Sequence, residues 1–173
     1  MMGHTHWVIG AATWLGILAF TAVSHAPAVV FGGTVIAAVA ALCADIDTKN
    51  SMASKALGPI TGAVSYLIRT LFGGHRKITH SILGMILIAT GVYAMTHAFH
   101  WPVWIGLAIL AGWASHIGSD MLTREGCPLL WPVSKTKYGL HLVTTGKRVE
   151  KYIIRPMALA GLVGFAAMIM IGM

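Results

Sequence analysis

The chain has 173 residues, enough for one domain and too short for two well-packed ones. Hydrophobic residues make up 57% and charged residues 10%, against roughly 45–50% and about 25% in a typical soluble domain. That composition excludes a disordered chain and argues against a water-soluble globular enzyme. The net charge of +7 would raise the question of nucleic acid in a soluble protein; here it falls outside the long apolar stretches, and no specific nucleic-acid binding is expected.

Five uncharged stretches follow one another along the chain: Trp7–Ser24, Ala28–Ala44, Ser81–His97, Pro102–Gly118 and Pro156–Met173. As helices each is about 26 Å long, the short end of what spans a bilayer. A sixth, Leu57–Phe72, carries Pro59 and Arg69 and reads as an interfacial or re-entrant helix. Residues 1–173 are thus expected to form a single all-α, membrane-embedded domain of about five transmembrane helices. Ser24-His25-Ala26-Pro27-Ala28 faintly resembles a signal-peptide cleavage site, but the positively charged leader of such peptides is missing. Only Cys43 and Cys127 are present, so there is no disulfide framework and both are expected to be reduced. The Met-rich tail reads as lipid-facing packing.

The loops orient the bundle. Lys49, Lys55, Arg69, Arg76 and Lys77 lie between the second and third stretches. Arg124, Lys135, Lys137, Lys147, Arg148, Lys151 and Arg155 lie between the fourth and fifth, and these two groups hold every lysine and arginine of the chain. Under the positive-inside rule the N-terminus and both basic loops face the cytoplasm of a bacterial-type inner membrane. If Leu57–Phe72 also crossed, Lys49 and Lys55 would move to the other side.

Most potential metal ligands sit at the cytoplasmic ends of these stretches. Gly3-His4-Thr5-His6 precedes the first, Asp45-Ile46-Asp47 follows the second, Gly74-His75-Arg76-Lys77-Ile78-Thr79-His80-Ser81 precedes the third, and Ser115-His116-Ile117-Gly118-Ser119-Asp120 ends the fourth. His116 and Asp120, four apart, share a helix face and can grip one ion. Asp45 and Asp47 point the same way in an extended segment, or one ligates while the other caps or orients. Each motif alone also has a plain structural explanation: a lone histidine at a helix end is usually interfacial, Asp45 or Asp47 can cap a helix or pair with Lys49, and Arg76-Lys77 can anchor headgroups. The convergence of four such motifs favours a metal site. His25, His97 and His100, at the opposite face with no carboxylate near them, are expected to be interfacial.

Thr5-His6, Asp45-Ile46-Asp47, Gly74-His75-Arg76 with Thr79-His80-Ser81, Ser115-His116 with Asp120, and Gly126-Cys127-Pro128-Leu129-Leu130-Trp131-Pro132 together resemble the YdjM-type family. That family is described as inner-membrane metal-dependent hydrolases, LexA-regulated in some members. Where the family usually has Pro-Asp-Ile-Asp, Ala44 precedes Asp45 here, which loses a rigid turn but no ligand. The family's His/Asp pattern is similar to that of zinc-dependent phospholipase C and its related nucleases, which implies Zn²⁺ and phosphoester hydrolysis. By this resemblance His6, Asp45, Asp47, His75, His80, His116 and Asp120 become the expected metal ligands. Glu150 matches an acidic position of the family, while His4 and His141 have no firm counterpart and stand as secondary candidates.

The expectation is a membrane-bound zinc-dependent hydrolase acting on a phosphoester, a lipid among the candidates, at the cytoplasmic face. Asp47 or Asp120 would serve as base and Arg76 would neutralise a phosphate through its planar guanidinium. A non-catalytic protein with a structural metal is the alternative, although seven ligands exceed the usual four. A small transporter fits less well, because the charge lies at the ends of the spans and not within them.

Overall fold

The computed structural model describes residues 1–46, 51–52, 66, 70 and 77–172. Among the described residues there are five α-helices and no strand: α1 (Gly3–Phe20), α2 (Gly33–Cys43), α3 (Ile82–Ala98), α4 (Val103–Met121) and α5 (Arg155–Met170). A π-turn, Ala28–Gly32, leads into α2, and a second, Glu150–Ile154, leads into α5. The second has a local cause. Pro156, in the first turn of α5, has no N–H to give and its ring crowds the carbonyl four residues back. The wider turn closes instead through the Arg155 N–H to the Glu150 carbonyl. The interfacial helix expected at Leu57–Phe72 lies almost wholly outside the described residues.

The helices start and stop a few residues away from the apolar stretches. α1 begins at Gly3, so His4 and His6 stand within its first turns, and it ends at Phe20. The π-turn extends the last helix back to Glu150, giving a run of 21 residues to Met170 that is long and apolar enough to cross a membrane. The run Ala28–Cys43 and α3 are apolar but shorter.

α1 lies at the centre, against α2, α4 and α5; α2 also packs on α4, and α3 packs on α4. The tightest point is Ala37. A Cβ on Gly112 of α4 would lie 2.1 Å from the Ala37 carbonyl oxygen, and one on Gly10 of α1 would lie 2.8 Å from the same atom. Three backbones therefore meet where two have no side chain, the small-residue packing that lets apolar helices associate closely. Around this contact Trp14, Leu18, Ala37 and Ala108 are fully buried, and the Trp14 indole N–H donates to the Val29 carbonyl at 3.0 Å. The outward faces remain apolar: Phe31, Val35, Ile86, Val103, Met157 and Val163 are all exposed, and α5 buries no residue at all.

At one end of the bundle lie the start of α1, the end of α2, the start of α3, the end of α4 and the turn into α5. Contacts fix this gathering: His6 to Ser119, His116 to Ala41, His80 to His116, and the Met2 N–H to Glu150. Before α3, the 3₁₀ turn Ile78–His80 is locked in place by Ser81. Its hydroxyl donates to the Ile78 carbonyl at 2.9 Å and accepts the Gly84 N–H at 3.1 Å, capping α3. A Cβ at Gly84 would lie 1.8 Å from the Ile78 oxygen.

Because nothing can shift at Ala37 without parting two helix pairs, Gly112→Val is expected to destabilise the fold by about 1–3 kcal/mol or more. Gly164→Val, which meets nothing within 4 Å, should be near neutral. Thermal unfolding of both variants in detergent checks this; equal midpoints would refute the close-packing account.

Candidate metal centre

Each arm of the centre is held by its own helix end. α1 carries His6 in its first turns, α4 carries His116 and Asp120 one turn apart in its last, the turn after α2 carries Asp45, and the 3₁₀ turn before α3 carries His80. Their ligand atoms form two sets, His6–His116–Asp120 and Asp45–His80–His116, each lying within 4.8 Å and both sharing His116. His6, His80, His116 and Asp120 are at most 1% exposed. Burying that many polar groups is costly unless each is paired.

The partners of the imidazoles decide which nitrogen is left for a cation. His116 Nδ1 donates to the Ala41 carbonyl at 2.6 Å, one of the last carbonyls of α2, which the helix itself leaves over. A neutral His116 therefore presents a lone pair at Nε2. The single hydroxyl hydrogen of Ser119 goes to the His116 carbonyl at 2.9 Å, so Ser119 Oγ accepts from His6 Nδ1, 2.9 Å away. His6 Nε2 is then also a lone pair, and it makes no hydrogen bond. Thr79 Oγ1 lies 2.8 Å from His80 Nδ1, and Thr79 in turn is tied to α4, its carbonyl accepting the Trp113 indole N–H at 3.1 Å. Outer partners of this kind fix ring orientation in metal sites.

What converges inside is a set of acceptors together with one donor, His80 Nε2. His6 Nε2 lies 3.3 Å from Asp120 Oδ1 and His80 Nε2 3.5 Å from Asp120 Oδ2. Asp45 Oδ1 is 3.6 Å from both His80 Nε2 and His116 Nε2 and makes no hydrogen bond. His80 Nε2 and His116 Nε2 are hydrogen-bonded at 3.1 Å, and since His116 Nε2 is a lone pair, His80 donates; the His6 and His116 rings are stacked with centroids 3.8 Å apart. Lone pairs and carboxylate oxygens facing one another call for positive charge between them. Among the described residues, the α-ammonium of Met1 is a cationic group set against these acceptors, donating to Asp120 Oδ1. Nitrogen and oxygen donors in this number and at this spacing fit a divalent ion such as Zn²⁺.

Of the residues singled out from sequence, His6, Asp45, His80, His116 and Asp120 are therefore brought together. Asp47, His75 and Arg76 lie outside the described residues. His4 is exposed; two positions from His6 on a helix, it points to nearly the opposite face. His141 is exposed, with a positive φ of 55°, and donates to the Arg124 carbonyl at 3.0 Å. Glu150 is buried but in neither set: its oxygens accept the N–H groups of Met2 and Gly146, each at 2.7 Å. It ties the start of α1 to the last loop, the task of a helix N-terminal cap. His25 donates to the Leu18 carbonyl at 2.9 Å, closing the far end of α1. Sequence reasoning missed Ser119, Thr79 and the Ala41 carbonyl as orienting partners. Only Ser119 left a signal: it is three residues after His116 on one helix.

The family model described as YdjM inner membrane protein matches residues 1–173, the whole chain. The chain is similar to the inner membrane protein YdjM of Escherichia coli (strain K12) and to that of Shigella flexneri. Each is 34% identical over 115 residues, covering 65% of this chain and 56% of the relative. The chain thus spans little more than half the length of these curated relatives. No solved structure matches.

His116→Ala and Asp120→Ala are each expected to weaken zinc binding at least about tenfold, and Ser119→Ala by about 10–100-fold through the His6 ring it orients. His97→Ala, at the other end of α3, should leave it unchanged. Metal content after dialysis against graded chelator checks the series, and equal retention in all four variants would remove the site.

Proposed function

Since the chain belongs to the YdjM inner membrane protein family, we propose that it is a multi-pass inner-membrane, zinc-dependent hydrolase acting on a phosphoester at the cytoplasmic membrane face. The observation that carries this reading is the pair of ligand sets sharing His116: five donors from four chain segments are more than a closed four-coordinate structural site uses. The gathering at one side of one end of each of the five helices of the described residues supports five alternating crossings with the N-terminus inside, in keeping with the one-sided lysine and arginine distribution.

His6, His116 and Asp120 would hold one ion, and Asp45, His80 and His116 form the second set. A bound zinc supplies Lewis acidity, lowering the pKa of water to near neutral and polarising a phosphoryl oxygen. The residues of the chain do the rest. Ser119, Thr79 and the Ala41 carbonyl keep the three imidazoles aimed. Asp47 is the proposed base, since Asp120 is committed within the cluster, and Arg76 is the proposed partner of the phosphate.

The near-complete burial of His6, His116 and Asp120 favours one competing reading, a structural metal that merely ties α1 to α4. The two readings part at the acidic pair. Asp45→Asn is expected to lower metal content and activity together, whereas Asp47→Asn should spare the metal and abolish turnover. Zinc analysis and hydrolysis of phosphodiester and phospholipid panels decide between them: if neither substitution alters any hydrolysis, the structural reading stands. Reporter fusions near Lys77 and Lys137 should be cytoplasmic and those near Ala26 and Phe99 external. Opposite sides for Lys49 and Lys77 would mean that Leu57–Phe72 crosses as well.

A further inference from the structure

Beside the cluster lies a cavity of about 210 Å³ lined by Ile46, Ile78, Thr79, Gly84, Leu87, Ile88 and Trp113. Three of these residues are neighbours of site residues in the chain: Ile46 follows Asp45, Thr79 precedes His80, and Trp113 stands one helical turn before His116. The walls are therefore fixed by the same elements that hold the ligands. Ile78, Thr79, Gly84 and Trp113 are buried, whereas Leu87 is 51% exposed and marks the mouth, on the side where Leu83 and Ile86 of α3 are also exposed.

The chemistry of the lining restricts what can enter. Six of the seven residues are aliphatic, aromatic or glycine, and the remaining hydroxyl, Thr79 Oγ1, is turned to His80 Nδ1. The Trp113 N–H is spent on the Thr79 carbonyl. A sugar, a base or a peptide backbone would find no partner for its polar groups here and would be penalised for entering. Apolar cavities of about 150 Å³ stay dry and take up hydrocarbon, and this one is larger. At its cluster end the lining begins at Ile78, directly after the cationic Lys77. Lys77 and His80 flank the lining residues Ile78 and Thr79 in the chain, so an apolar slot that opens outward beside a lysine and the histidine cluster is complementary to an anionic amphiphile, chain outward and headgroup toward the cluster.

We propose that this cavity seats the headgroup-proximal part of one acyl chain of an anionic membrane phospholipid, with the phosphate end directed to Lys77 and the histidine cluster. The proposal deepens the hydrolase reading and rests on it for the fate of the lipid: it makes the substrate a phospholipid drawn sideways from the bilayer. The occupancy of the cavity can be measured without any turnover.

The probe is phosphatidylglycerol with a diazirine in one acyl chain, built into nanodiscs with the full chain. After irradiation and proteolysis, mass spectrometry locates the adducts. Adducts are expected at Ile78, Ile88 or Trp113 as well as at outward positions such as Val163. Leu87→Trp, which plugs the mouth from an exposed position, should reduce the cavity adducts at least fivefold and leave those at Val163 and the zinc content unchanged. Leu87→Ala, which widens the mouth, should keep them. Labelling of Val163 without any cavity adduct, or cavity adducts insensitive to Leu87→Trp, overturns the proposal. Activity is read separately, on a water-soluble phosphodiester. Retained hydrolysis with an unlabelled cavity defeats the lipid slot alone, and a labelled cavity in a chain that hydrolyses nothing defeats the enzyme reading alone.

Discussion

The contact of Gly10 and Gly112 with the Ala37 carbonyl sets the spacing of α1, α2 and α4, and the cluster depends on that spacing. One turn beyond Ala37 along α2 is Ala41, whose carbonyl receives His116 Nδ1 at 2.6 Å. One turn beyond Gly112 along α4 is His116 itself. A Cβ at Gly112, 2.1 Å from the Ala37 oxygen, would push α4 away from α2 by more than the 2.6 Å His116–Ala41 hydrogen bond tolerates. The imidazole would then lose the partner that selects its nitrogen. Packing of small residues in the apolar part of the bundle is thus transmitted directly to the orientation of a polar group at its end.

The polar end obeys a second constraint, that of charge. Three imidazoles and two carboxylates face one another in a pocket that is almost closed to water, and the outward partners of His6 and His116 use the hydrogen-bearing nitrogen of each ring. This orders the acceptors inward. Such a pocket is unfavourable as a bare assembly and favourable around positive charge. Glu150, although buried and acidic, stands outside this arrangement because two backbone N–H groups already satisfy it.

Much of this was legible in the sequence. Long uncharged stretches predict five helices, and Asp45 and Asp120 stand at the ends of two of them. The four-residue spacing of His116 and Asp120 was enough to place both on one face. His4 was less legible, because the polar start of the chain reads as a segment before the helix; once the helix begins at Gly3, two residues of separation turn His4 outward while His6 faces in. Glu150 could not be separated from the ligands by composition, since its role depends on where the backbone of a distant element ends. The Ala41 carbonyl was invisible for the same reason: a backbone atom leaves no mark in the sequence, and only the end of α2 makes it available. The π-turn before α5 had a visible cause in Pro156, but the pattern of apolar residues does not distinguish a wide turn from an ordinary one.

The five clustered side chains come from positions as far apart as His6 and Asp120 and meet only when four segments are in register. An extended chain offers a cation separate weak donors, whereas the assembled bundle offers them together, so a cation taken up here binds the folded form alone. By mass action its free energy of binding adds to that of folding, on the order of 2.7 kcal/mol when free ion exceeds the dissociation constant about a hundredfold. A bundle that takes up such an ion would form one thermodynamic system with it, and metal supply would then act on the abundance of the folded chain.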